Sequence, residues 1–118
     1  MAHPEVELTG YVESLSPYYR RATVVVAPMR LGAGVKVKSA IAMLWGLPVV
    51  ATSVAAEGVA EHEQFFAVED DAAAIADALV AVLRNPGSAA RVRAQAFAWA
   101  HEAYSATAYL RSLDVVYR

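Results

Sequence analysis

Cysteine is absent from the 118 residues. Disulfides and thiolate chemistry are thereby excluded, and the absence fits a reducing compartment. An excess of one charge is lacking too, since 10 Lys and Arg against 12 Asp and Glu give a formal net charge of −2. That balance does not suggest nonspecific nucleic-acid binding. No apolar run approaches the ~18 residues that a membrane-spanning helix needs. The opening MAHPEVE has no charged-then-apolar signal pattern, and the reading is a cytoplasmic location. No repeat or low-complexity linker is visible. His3, His62 and His101 have no spacing that would pair them for acid–base catalysis. Glu61, His62 and Glu63 resemble a metal cluster only superficially, so no metal, cofactor or catalytic residue is assigned.

What the chain does have is apolar residues. They make up 58% of it, and the mean hydropathy is +0.35. This is rich for one domain of this size and suggests apolar surface covered by something outside the chain. The length suits a single domain, residues 1–118, with a real core.

Taken in order, VELTG at residues 6–10 is a short strand candidate. In YVESLSPYYRRA a helix begins either at Ser16-Pro17, since Pro is tolerated in the first turn, or at Glu13, which puts Val12, Leu15, Tyr19 and Ala22 on one face. TVVVA, residues 23–27, is β-branched and uninterrupted, and reads as a central strand closed by Pro28. Residues 65–68, FFAV, form another short strand candidate. Glu69, Asp70 and Asp71 then favour a helix start, with Asp70 or Asp71 as the cap. Ile75, Leu79, Val82 and Leu83 are the expected buried face of that helix, and Asn85-Pro86-Gly87 ends it. Ser88 is the expected cap of a final helical region carrying Val92, Ala96 and Trp99, then Tyr109, Leu113 and Val116, with a break near Ser105.

The stretch at the centre is APMRLGAGVKVKSAIAMLWGLPVVA, residues 27–51. Gly32, Ala33 and Gly34 leave the backbone bare where a helix begins. A helix start presents unpaired N–H groups and the positive end of the peptide dipoles, which suits a phosphate, and Lys36 and Lys38 add charge nearby. Val37, Ala40, Ile41 and Leu44 give an apolar stripe at i, i+3, i+4, i+7. Gly46 and Pro48 stop the helix. Val49 and Val50 continue into a run without alternation, as in a strand covered on both faces. Strands alternating with helices predict an α/β fold, a Rossmann-like parallel sheet with helices on both faces. Ligands in such sheets sit outside the carboxyl ends of the strands, where residues 28–36 and the loop at residues 52–58 would form one crevice wall.

The run GAGVKVKSAIAMLWGLPVVATSVAAEGV, with GYVESLSPYYRRATVVVAP before it and FFAVEDDAAAIADALVAVLRNP after it, resembles the carboxyl-terminal domain of GT-B glycosyltransferases of family 4. Gly32, Gly34, Lys38, Ala42, Gly46, Pro48, Val49, Val50, Thr52, Glu57 and Gly58 stand on that family's pattern. The resemblance implies a nucleoside diphosphate sugar as donor, held by this domain, with the acceptor held mainly by another. It implies contacts from Gly32, Ala33, Gly34 and Val35 to the diphosphate, with Glu57 at the crevice; one of the two lysines reaches the phosphates, Lys38 by the family pattern or Lys36 by its nearness to the loop, and the other is solvated. It also places Ile41 where the family usually has the Glu that holds the ribose, and isoleucine cannot accept a hydroxyl proton. The family's other carboxylate position falls at Ala33.

Measured against that family, the chain reads as starting partway through the domain, without the strands whose loop carries a basic pair for the leaving diphosphate. The expectation is a partial GT-B domain that is inactive alone. An unpaired edge on TVVVA would then favour a homo-oligomer, a rearranged sheet or a missing amino-terminal companion. The alternative is a non-catalytic interaction module using that edge. A receiver-like or flavodoxin-like domain is a third option, but it lacks clustered acids at the strand ends.

Overall fold

The computed structural model describes residue 10 and residues 13–28, 37–57 and 62–103. Of the VELTG strand candidate only Gly10 is among them. The helical region beyond residue 103 lies outside them.

The first helix, α1 (Ser16–Arg21), carries Pro17 in its first turn, where a missing N–H costs nothing, and Arg20 and Arg21 in its last. This settles the two possible starts in favour of Ser16. Strand β1 (Val25–Ala27) follows, then α2 (Val37–Leu44), β2 (Val49–Ala51) and a four-residue helix α3 (Ser53–Ala56). A 3-10 turn (His62–Gln64) leads to β3 (Ala67–Val68) and α4 (Ala72–Arg84). A second 3-10 turn (Pro86–Ala89) joins α4 to α5 (Ala90–Ala103).

The described sheet has three parallel strands in the order β1-β2-β3, with Val25 opposite Val49 and Val50 opposite Ala67. Its central strand is therefore β2. All three β2 residues are buried; because successive side chains point to opposite faces, both faces of that strand are covered. TVVVA, expected to be central, shortens to Val25–Ala27 and has only β2 beside it among the described residues. Val26 is 41% exposed. The β-branched run marked a strand correctly; it did not reveal what would flank it.

Helix α2 packs against β1, β2 and α5, and α4 packs against β2 and β3. The main cluster joins Val49 and Ala51 to Ala40, Ala42 and Met43 of α2, Ala96 and Ala100 of α5, and Phe65. Four of those six helical and aromatic side chains are alanines, which let α2 and α5 approach closely. The buried arc of α2 is Ser39, Ala40, Ala42 and Met43, whereas Ile41 and Leu44 are half-buried. The expected stripe is thus rotated, because α2 must satisfy α5 as well as the sheet.

The carboxyl end of α2 is a Schellman motif. The Leu47 amide donates to the Ala42 carbonyl at 3.1 Å and the Gly46 amide to the Met43 carbonyl at 2.9 Å, with Gly46 at φ +74°. In α4 the buried positions are Ile75 and Val82, with Leu79 half-buried. Leu83, expected in that face, is 58% exposed one residue before the end of α4, with no element over it among the described residues. Ser88 does not cap α5. It lies inside the second 3-10 turn, and its hydroxyl donates to the Asn85 carbonyl at 2.7 Å.

Candidate functional site

Parallel pairing puts the carboxyl ends of β1, β2 and β3 on one side of the molecule, and three connections leave from there. The first runs from Pro28 to α2, whose helical backbone begins at Val37, directly after Lys36. A helix starting there agrees with the expected strand followed by a helix. Gly32, Ala33, Gly34, Val35 and Lys36 lie outside the described residues. Lys38 is in the first turn of α2, and Ile41 is half-buried one turn later.

The second connection departs from the expected loop. After β2 the chain turns at once into α3. Thr52, 1% exposed, caps it by accepting the Ala55 amide on its hydroxyl at 3.2 Å. The Thr52 amide donates to the Ala27 carbonyl at 3.1 Å, which ties the cap to the end of β1. Glu57 is exposed at the far end of α3, and its amide donates to the Ser53 carbonyl at 3.0 Å. Gly58 lies outside the described residues.

The third connection reaches back to the second. The Glu69 amide donates to the Ala51 carbonyl at 2.9 Å, which carries the β2–β3 pairing one residue further. Asp70 then accepts the Ser53 amide at 2.9 Å, and the Ser53 hydroxyl lies 2.8 and 3.0 Å from its two carboxylate oxygens. Asp71 is the cap of α4, accepting the Ala74 amide at 3.1 Å. The two acids that the sequence left as alternatives therefore have separate tasks. Asp71 starts α4, and Asp70 locks the β3–α4 turn to the first residue of α3. The bond between Asp70 and Ser53 spans 17 residues and has no sequence signal beyond a hydroxyl pair following a strand.

Of the predicted set, the structure brings Lys38 and Glu57 to the same end of the sheet through their elements, with Ile41 a turn further along α2. Sequence reading missed Thr52, Ser53 and Asp70 as the group that fixes the second wall.

Two cavities lie at the opposite end, where the strands begin. One of about 530 Å³ is lined by Gly46, Ala90, Arg93, Ala94 and Phe97. Another of about 300 Å³ is lined by Ala22, Thr23, Leu47, Pro48, Val82, Pro86 and Arg93.

No curated protein and no solved structure matches the chain. A family description does match, Glycosyl transferases group 1, over residues 1–85. The matched region runs from the amino end through the three strands and all of α4. With most of its length covered and a parallel α/β sheet beneath it, the chain belongs to the group 1 glycosyltransferase family.

Proposed function

We propose that this chain is the donor-binding part of a family 4 type glycosyltransferase. It recognises a nucleoside diphosphate sugar at the carboxyl end of its sheet. The observation that carries the reading is the family match over a chain in which α2 starts directly behind the glycine loop, at the end of β1. The backbone of Gly32, Ala33, Gly34 and Val35 and the charge of Lys36 or Lys38 face the diphosphate, at the positive end of the α2 dipole. Glu57 lies at the sugar side. Ile41 stands at the ribose position and supplies no hydrogen bond there, which weakens the donor site. In a full assembly, electrostatic stabilisation of the departing diphosphate would be the main catalytic contribution, and this chain supplies part of it.

Calorimetric titration with UDP, GDP and their sugars tests the proposal. Binding at millimolar ligand supports it, and silence at that concentration with an intact circular-dichroism spectrum removes it. Ile41→Glu should raise affinity, and an unchanged affinity in that variant would remove the ribose assignment.

A further inference from the structure

The amino-terminal end of the sheet carries chemistry that the donor reading does not use. Helices run back against the strands, so Arg20 and Arg21 in the last turn of α1, and Arg84 in the last turn of α4, reach this end. Arg91 and Arg93 open α5 here as well. The acids Glu57, Glu69, Asp70 and Asp71 follow β2 and β3 at the other end. The chain is nearly neutral in sum, yet these five arginines gather at one end of the sheet.

Arg20 and Arg21 rest on aromatic rings, at 5.9 Å over Trp45 and 5.3 Å over Tyr18. Arg93 is held differently. Its Nε donates to the Gly46 carbonyl at 2.8 Å, which fixes the guanidinium at the end of α2. Arginine has five N–H donors, and this bond uses one. The two terminal amino groups of Arg93 have no acceptor among the described residues. Arg93 lines both cavities.

Apart from Arg93 and Thr23, the described lining residues are apolar or glycine, and none of them is a carboxylate. Phe97 is 45% exposed and stacks on His101 at 5.9 Å. A side chain at Gly46 would meet nothing within 4 Å, so this wall is open. The positive end of the α5 dipole points the same way. A guanidinium fixed through one nitrogen, with no partner for the rest of its fork among the described residues, matches an oxyanion taken by two parallel bonds. The largely apolar walls suit a hydrophobic body attached to that oxyanion, in a groove that is widely open to solvent. The α5 residues involved lie beyond the part matched by the family.

We infer that Arg93 anchors a second ligand site, taking a small molecule that carries a carboxylate or phosphate on an apolar, ring-sized body. The site is independent of the donor reading and lies at the other end of the sheet.

The test uses the full chain labelled with nitrogen-15, titrated with phenyl phosphate, with benzoate, and with benzyl alcohol as the neutral analogue. Ligand is taken to about 10 mM, enough to saturate a millimolar complex. Saturable shifts at the amides of Gly46, Ala90, Arg93, Ala94 and Phe97 are expected with either oxyanion and not with the alcohol. The tighter of the two oxyanions identifies the ligand class. Arg93→Gln should weaken binding at least about tenfold, Arg93→Lys less because it keeps the charge though not the fork, and Arg91→Gln little because Arg91 lines neither cavity. Should Arg93→Gln unfold, Ala94→Trp, which fills the larger cavity, should abolish the shifts. The inference is overturned by absent shifts, by equal response to benzyl alcohol, or by equal loss in Arg91→Gln. It is also overturned by an unchanged affinity in folded Arg93→Gln or Ala94→Trp.

Discussion

Replacing Gly46 by alanine isolates one backbone conformation from almost everything else. Gly46 sits at φ +74°, where an L residue meets its own carbonyl, and the strain is about 1–2 kcal/mol. A Cβ added there meets no atom within 4 Å, so no packing clash adds to that figure. Alanine also narrows the unfolded ensemble, which returns about 0.4–1 kcal/mol. The expected net loss is therefore about 1 kcal/mol. In urea, where small domains lose about 1–3 kcal/mol per molar, the midpoint should fall by roughly 0.5 M with an unchanged slope. Gly46→Asn should lie between alanine and the parent, since asparagine tolerates the left-handed region. A midpoint that does not fall would mean that the Schellman turn does not hold Leu47 and the start of β2 in place. A loss above about 3 kcal/mol would mean a clash where the structure shows open space.

Three further outcomes are expected. Met43→Ala removes a fully buried side chain from the α2–α5–sheet cluster and should cost about 2–5 kcal/mol by thermal or urea unfolding; a loss under about 1 kcal/mol would place that residue outside the core. Val82 and Leu83 are neighbours with 1% and 58% exposure, so Val82→Ala should cost about 2 kcal/mol and Leu83→Ala about 0.5 or less, and equal losses would contradict the described face of α4. Asp70→Ala and Ser53→Ala should each cost about 1 kcal/mol, and the double variant little more than either; additive losses would mean that the two do not act as a pair.

Much of the fold was legible because local signals and tertiary demands agree. Gly46 and Pro48 marked the end of α2, Asn85-Pro86-Gly87 marked the end of α4, and the unalternating Val49–Val50 run marked a strand buried on both faces. Each depends on backbone preference or short-range pattern. What was not legible depends on partners distant in sequence. The arc of α2 that is buried was set by α5, some fifty residues later, so Met43 replaced Ile41 and Leu44 at its centre. Strand β1 reads as central because its composition reports β-branching and not neighbours, and among the described residues only β2 stands beside it. Asp70 and Asp71 were equivalent as caps until Ser53 took one of them. The glycine loop was legible as a pattern, but what it holds is a matter for ligand binding rather than composition.

The Asp70–Ser53 link also bears on how a donor would be shared between the two walls. Two of the leading amides of α3 are already engaged, Ser53 by Asp70 and Ala55 by the Thr52 hydroxyl. A four-residue helix has little dipole left to offer once those groups are taken. The exposed carboxylates on this wall, Glu57 and Glu69, are acceptors, and a diphosphate needs donors. In the proposed site the phosphates fall to the glycine loop, Lys36, Lys38 and the start of α2. In that proposal the acids are left to the hydroxyl groups of sugar or ribose, which the Ile41 side chain cannot bind. Pyrophosphate alone would engage one wall and a nucleotide sugar both, so the sugar-bearing ligand should bind the more tightly of the two in the same calorimeter. The reverse order would remove the carboxylates from the site.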